Sequence, residues 1–167
     1  MEYSFFVPGH PEPQSRPRFS SRRIGLKTIT RAYEAEKVTS FKQTVYALAR
    51  KAFNEKKVFL QGALELQLIV FREIPKAFSQ KKAKLAAEGQ IYPTQRPDLD
   101  NYIKSALDGI GLKNMPKIIF SDDAQVVRIS ADKRYSYNGQ VGMAIVVKEL
   151  MPTVARESFV KEERVNG

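Results

Sequence analysis

The chain has 167 residues, with no Cys, a single His and a net charge of +10 from 28 Lys and Arg against 18 Asp and Glu. That length fits one domain, in which folding buries roughly 70% of the unfolded chain's surface. The composition excludes disulfides, thiolate sites and multi-histidine centres. A divalent metal would therefore be held by oxygen ligands, which points to Mg2+, with Mn2+ as the other candidate.

No run approaches the ~20 apolar residues of a membrane span, and "MEYSFFVPGH" lacks the basic start of a signal peptide. A cytoplasmic protein without membrane partners is the expectation, in keeping with the absence of Cys. "YSFFV" at 3–7 reads as a short strand, ended by "PGHPEP". "EPQSRPRFSSRRIG" reads as a Pro/Ser/Arg loop, and from Gln14 to Arg31 there are six basic residues and no acid. A basic excess of this kind points to a polyanion partner. The blander alternative is a merely soluble basic protein. A long amphipathic helix is predicted from about Arg31 to Lys57, where Val38, Phe41, Val45, Leu48, Ala49 and Ala52 recur at helical spacing. "ALELQLIVF" at 63–71 alternates as a half-buried strand and turns apolar on both faces near its end. "SQKKAKLAAEG" predicts a short helix with Ser79 as N-cap and Gly89 at C′. "QIYPTQRP" is a breaker segment. "AQVVRISADKRYS" at 124–136 and "VGMAIVV" at 141–147 read as strands joined through "YNGQ", a hairpin signal. The pattern predicts a single α+β domain over 1–150, with a mixed or mostly antiparallel sheet and packed helices. Residues 151–167 read as a peripheral tail.

Two clusters of acids interrupt this basic chain. In "RPDLDNYIKSALDGI" the apolar positions 99, 102, 103, 106, 107 and 110 draw one helical stripe. Asp100, Lys104 and Asp108 recur at i, i+4, i+8 on the opposite face. Pro97 favours an extended lead-in, so the helix is predicted to start near Asp100 with Asp98 just outside it. That arrangement lets two carboxylates converge at a helix N-terminus. The structural alternative is a cap plus a surface Asp100–Lys104 pair, worth ~0.3–0.5 kcal/mol. The second cluster, "FSDDAQV", places Asp122 and Asp123 directly before a strand. One acid would be ordinary at such a turn. The two clusters together could supply three or four oxygen ligands to a hard divalent cation.

The stretch "RPDLDNYIKSALDGI" followed by "SDDAQV" resembles the signature of the RusA family, small Holliday-junction resolvases widespread in phages and prophages. "VPGHPEPQSRPRFS" and "TRAYEAEKV" are similar to that family's N-terminal pattern, so the likeness spans roughly residues 3–148. The resemblance implies a RusA-like fold and a homodimer. It also implies a Mg2+-dependent endodeoxyribonuclease that resolves four-way DNA junctions by paired symmetric nicks, each active site lying within one subunit. It implies that Asp98, Asp100 and Asp123 are the metal-site carboxylates and that Lys104 is catalytic, with Asp108 and Asp122 as additional acids. Arg16, Arg18, Arg22 and Arg23 would clamp the DNA backbone. The chemistry agrees, because a carboxylate-held Mg2+ both neutralises a phosphodiester and activates water. His10 could serve as a histidine base at one site only. "GLKNMPKIIF", the tail and residues 20–30 depart from the family pattern. A nuclease acting on forks, flaps or RNA, or a DNA-binding protein that does not cut, are the alternatives.

Overall fold

A computed structural model of the chain describes residues 1–151, including all side chains of that range except those of Arg18 and Arg31. The polar tail expected from Met151 onward lies outside the described residues apart from Met151 itself. The strands are β1 (Glu2–Pro8), β2 (Arg18–Ile24), β3 (Lys27–Tyr33), β4 (Leu64–Arg72), β5 (Val126–Tyr135) and β6 (Gly142–Glu149). The helices are α1 (Glu36–Lys56), α2 (Gln80–Ala87) and α3 (Leu99–Ile110), with a 3-10 turn at Asp123–Gln125.

A four-stranded sheet runs in the order β1-β6-β4-β5, and β2 and β3 pair separately. β4 is antiparallel to β6 but parallel to β5, so the sheet is mixed and the domain α+β, as the pattern predicted. Alternation in β4 sends Leu64, Leu66, Leu68 and Val70 into one cluster with Val45 and Ala49 of α1 and Tyr102, Ala106 and Ile110 of α3. Each fully buried Leu, Ile or Val among them contributes roughly 1.5–3 kcal/mol of transfer free energy. Ile69 and Phe71 alternate to the other face and stay half-buried, with Phe71 6.4 Å from the Phe6 ring. Ile118, Ile119 and Phe120, from "KIIF", are buried in the core. The phenol of Tyr3 ties β1 to the end of α1. It donates to the Val58 carbonyl at 2.6 Å and accepts from the Val58 N–H at 3.1 Å.

Three expectations need correction. The segment read as a loop before Gly25 is β2, and with β3 it makes an antiparallel hairpin. Backbone ladder bonds hold it together, and these are invisible to a reading based on apolar pattern. β3 also takes residues 31–33, so α1 begins at Glu36 rather than near Arg31. Finally, β5 and β6 do not form a hairpin. The Asn138–Gly139 turn is present, with Gly139 at φ +77, but β4 lies between the two strands. β4 offers each of them a more buried partner than they offer each other. By contrast α2 is capped as expected, with Ser79 accepting from the Lys82 N–H and Gly89 at φ +75.

α1 and α3 cross closely at Gly109, where an added Cβ would lie 2.7 Å from Val45 Cβ. Gly109→Ala would gain up to ~1 kcal/mol in helix propensity, but overpacking costs about 1–3 kcal/mol where the neighbour is a branch point. The variant is expected to unfold at a lower temperature than the parent. A raised midpoint would mean that the two helices separate at little cost.

Candidate active site

The segment before α3 is held by its carbonyls. Arg72 Nη1, at the end of β4, donates to the carbonyls of Gln95 and Arg96 at 3.1 Å each. Lys133 Nζ, on β5, donates to those of Gln95 at 3.1 Å and Pro97 at 2.9 Å. Asp98 follows as the N-cap of α3 with extended backbone (φ −73, ψ 150) and no side-chain capping bond. Asp100 lies in the first turn. Asp98, Asp100 and Lys104 are all exposed. Among the described residues Asp100 and Lys104 form no ion pair, although the spacing allows one. The pair and cap reading of these residues is therefore not realised. Among the described residues two carboxylates at the start of this helix, and an ammonium one turn inside it, are without partners, where the N-terminal partial charge favours anions.

A cleft of about 500 Å3 opens beside this entrance, and its lining includes His10, Glu12, Arg72, Glu73, Pro97 and Tyr102. Burial pushes the Tyr102 phenol above its usual range; the Arg72 charge opposes this and the Glu12 charge adds to it.

The other acids lie at the far end of α3. Asp108, Asp122 and Asp123 line a smaller cleft of about 110 Å3 with Leu107, Gly111, Lys117 and Phe120. The axial rise from Asp100 to Gly111 is about 16 Å, and α3 runs antiparallel to β5, with Lys133 near its start and Asp123 near its end. Asp98 and Asp100 are thus brought together at one end, and Asp123 is not brought to them within the chain. Asp122 caps the 3-10 turn, accepting from the Ala124 N–H at 2.8 Å in a capping box completed by Gln125. Asp123 carries no such duty. Arg16, Arg22 and Arg23 are exposed on or beside the β2–β3 hairpin; Arg18 opens β2, and its side chain is outside the described set.

Asp108 has a partner that the sequence reading missed. Lys42 of α1, only 6% exposed, donates to Asp108 Oδ2 and to Glu34 Oε1, each at 2.8 Å. Gln14 Nε2 also donates to Glu34 Oε1 at 2.7 Å, and the Gln14 N–H reaches the Asn101 carbonyl at 2.8 Å. One signal was legible: Lys42 falls four residues after Val38, inside the apolar stripe of α1, where a cation needs a carboxylate. Burial raises the Glu34 carboxyl, but the hydrogen bonds from Lys42 and Gln14 and the Lys42 charge outweigh it and hold the group below 4.5. A carboxyl depressed on folding stabilises above its unfolded pKa and loses that contribution as pH falls. Stability of the parent is therefore expected to decline below about pH 4.5 more steeply than that of Glu34→Gln. Parallel acid unfolding curves would contradict this.

The sequence model of the family described as "Endodeoxyribonuclease RusA" matches residues 8–146. The chain belongs to the RusA endodeoxyribonuclease family. Its chemistry is accordingly phosphodiester hydrolysis in DNA. The chain is also 32% identical over 145 residues to "Uncharacterized protein YqaN" of Bacillus subtilis (strain 168), covering 84% of this chain and 93% of that protein. RusA family members are generally dependent on a divalent metal. Among the described residues no three His, Asp or Glu side chains converge as a metal-holding group. Mg2+ commonly takes only one or two carboxylates, completing its shell with water and substrate phosphate. The exposed Asp98–Asp100 pair fits that donor set. Among the described residues no helix is long and apolar enough to cross a membrane.

Proposed function

We propose that this RusA family member is a Mg2+-dependent, cytoplasmic resolvase that cuts four-way DNA junctions by paired symmetric nicks, acting as a homodimer. The observation that carries this reading is the pair Asp98 and Asp100, presented at the entrance of α3 with neither carboxylate engaged by its own helix. A Mg2+ held there would offset phosphate charge and activate water. Lys104, one turn further along and unpaired among the described residues, would direct its ammonium at the scissile phosphate and stabilise the charge that develops on it. Arg72 and Lys133 act as positioning residues, fixing the carbonyls that set where Asp98 points. Arg16, Arg18, Arg22 and Arg23 would supply the positive surface that holds the DNA.

Two strands related by a junction's two-fold symmetry call for two equivalent sites, which a C2 dimer supplies. Asp123 stands at the other end of α3 and would join an Asp98–Asp100 centre only across such a dimer. This replaces the expectation of a site contained in one subunit. Asp108 and Asp122 are structural in this reading, through Lys42 and the capped turn respectively.

The test incubates labelled four-way, forked, flapped and single-stranded DNA, and RNA, with Mg2+ or EDTA. Paired nicks in the four-way junction, lost in EDTA, are expected. Cutting of forks, flaps or RNA in preference to junctions would assign a different nuclease. Binding without any cutting would make the chain a DNA-binding protein.

A further inference from the structure

Every described side chain from Arg16 to Tyr33 is exposed, so β2 and β3 form an arm clear of the body. Its two feet are tied down: Gln14 bonds to Asn101 of α3, and Glu34 to Lys42 of α1. The ladder is regular from Arg18↔Tyr33 to Ile24↔Lys27 and closes on a Gly25–Leu26 turn. Gly25 has φ +61, the left-handed backbone that the first central position of such a two-residue turn requires.

Directly opposed residues share a face, and the register pairs Arg22 with Ile29 and Ile24 with Lys27. One face therefore carries Arg22, Ile24, Lys27, Ile29 and Tyr33, while Arg23 falls on the other. Ser20, Arg22, Ile24 and Ile29 line a shallow hollow of about 270 Å3 on this face. Ile24 is 57% exposed and Ile29 43%, and residues 13–33 contain no acid. Cations interleaved with bare apolar groups suit a surface that presents phosphates at its rims and base edges between them.

We propose that this arm lies in the major groove of duplex DNA with its Arg22–Ile29 face toward the base edges. The inference rests on the reading of the chain as a DNA nuclease and deepens it, because a paired ribbon presents a fixed face that can enter a groove. Size supports it. The major groove, about 12 Å wide, admits a two-stranded ribbon in undeformed duplex, whereas the minor groove, about 6 Å wide, admits one only when the DNA is bent or widened. Seven-residue strands extend about 23 Å, the length of roughly seven base pairs. Charge selects DNA over a second copy of this chain, since an acid-free arm would then meet a chain that is itself net positive, +10 over all its residues.

The test uses the full chain in EDTA with a labelled linear duplex and a labelled four-way junction. Methylation of guanine N7, which marks the major groove, is expected to interfere over about seven base pairs. Netropsin, which fills the minor groove, is expected not to compete. Arg22→Ala and Ile29→Ser change exposed groups with no core contacts. Each is expected to weaken binding roughly 5- to 50-fold and to erase part of the interference pattern. An unchanged affinity and pattern in both variants, with the parent still binding and cutting once Mg2+ is supplied, would overturn the arm assignment and leave the nuclease reading standing. Displacement by netropsin would overturn it in favour of the minor groove. Conversion of a dimer to a monomer by the variants, at unchanged DNA affinity, would assign the arm to a second copy. Failure of the parent to bind any DNA would overturn both readings at once.

Discussion

Asp100→Asn protein is expected to fold, to bind a four-way junction at least as tightly as the parent, and to cut it at least on the order of 10^2- to 10^3-fold more slowly. Folding survives because Asp100 is exposed and makes no ion pair among the described residues. Binding survives because the substitution removes a negative charge that repels phosphate. Single-turnover cleavage at saturating protein separates these effects from affinity. Nicking at a near-parental rate would remove Asp100 from the metal site. Asp98→Asn and Asp123→Asn are expected to behave alike. Asp108→Asn should differ in kind, because its loss falls on the Lys42 contact and registers as stability.

Lys42→Met is expected to be strongly destabilising. The Lys42 side chain is 8% exposed, and its ammonium serves two carboxylates. Its removal leaves Glu34 and Asp108 facing one another without a counter-charge. Removing one partner of a buried pair typically costs about 3–5 kcal/mol. Glu34 and Asp108 retain 27% and 35% side-chain exposure, so water relieves part of the strain and the lower figure, about 3 kcal/mol, is expected. Urea unfolding measures it. Pairing Lys42→Met with Asp108→Asn should recover part of the loss, since neighbouring effects of this kind are not additive. A cost under about 1 kcal/mol would mean that the network is solvated and of little weight.

The local elements were legible where side-chain pattern and capping chemistry agree. α3 begins at Leu99 with Asp98 as its cap, where Pro97 keeps Arg96 out of the helical region and the apolar stripe sets the period. Ser79 and Gly89 bounded α2 for similarly local reasons. The hairpin of β2 and β3 escaped notice because neither face is buried, so no alternation marks it. The partner of β5 escaped because an Asn-Gly turn is a short-range signal, whereas β4 competes from some 60 residues upstream with a face already buried. For the acids, spacing placed Asp98 and Asp100 correctly at one helix end. It carried no information on the direction of α3 against β5, and that direction decides which cluster Asp123 joins. Lys42 was visible as a cation in an apolar stripe, but its partners come from residues 34 and 108, which only the folded chain brings to it.

The position of β6 in the sheet has a consequence for biogenesis. β6 is nearly the last described segment to emerge in synthesis, yet it inserts between β1 and β4, pairing Glu2 with Lys148 and Leu64 with Glu149. Until it arrives, β1 has no sheet partner and β4 keeps an open hydrogen-bonding edge. Pairings that span almost the whole chain are slow to form, because loop closure must precede their reward. A polypeptide stopped short of Gly142 would hold every acid of the candidate site while lacking the strand that joins its two ends. It would therefore expose an unpaired apolar edge of the kind that drives association between chains. Completion of the sheet in this family member thus waits on its last described strand.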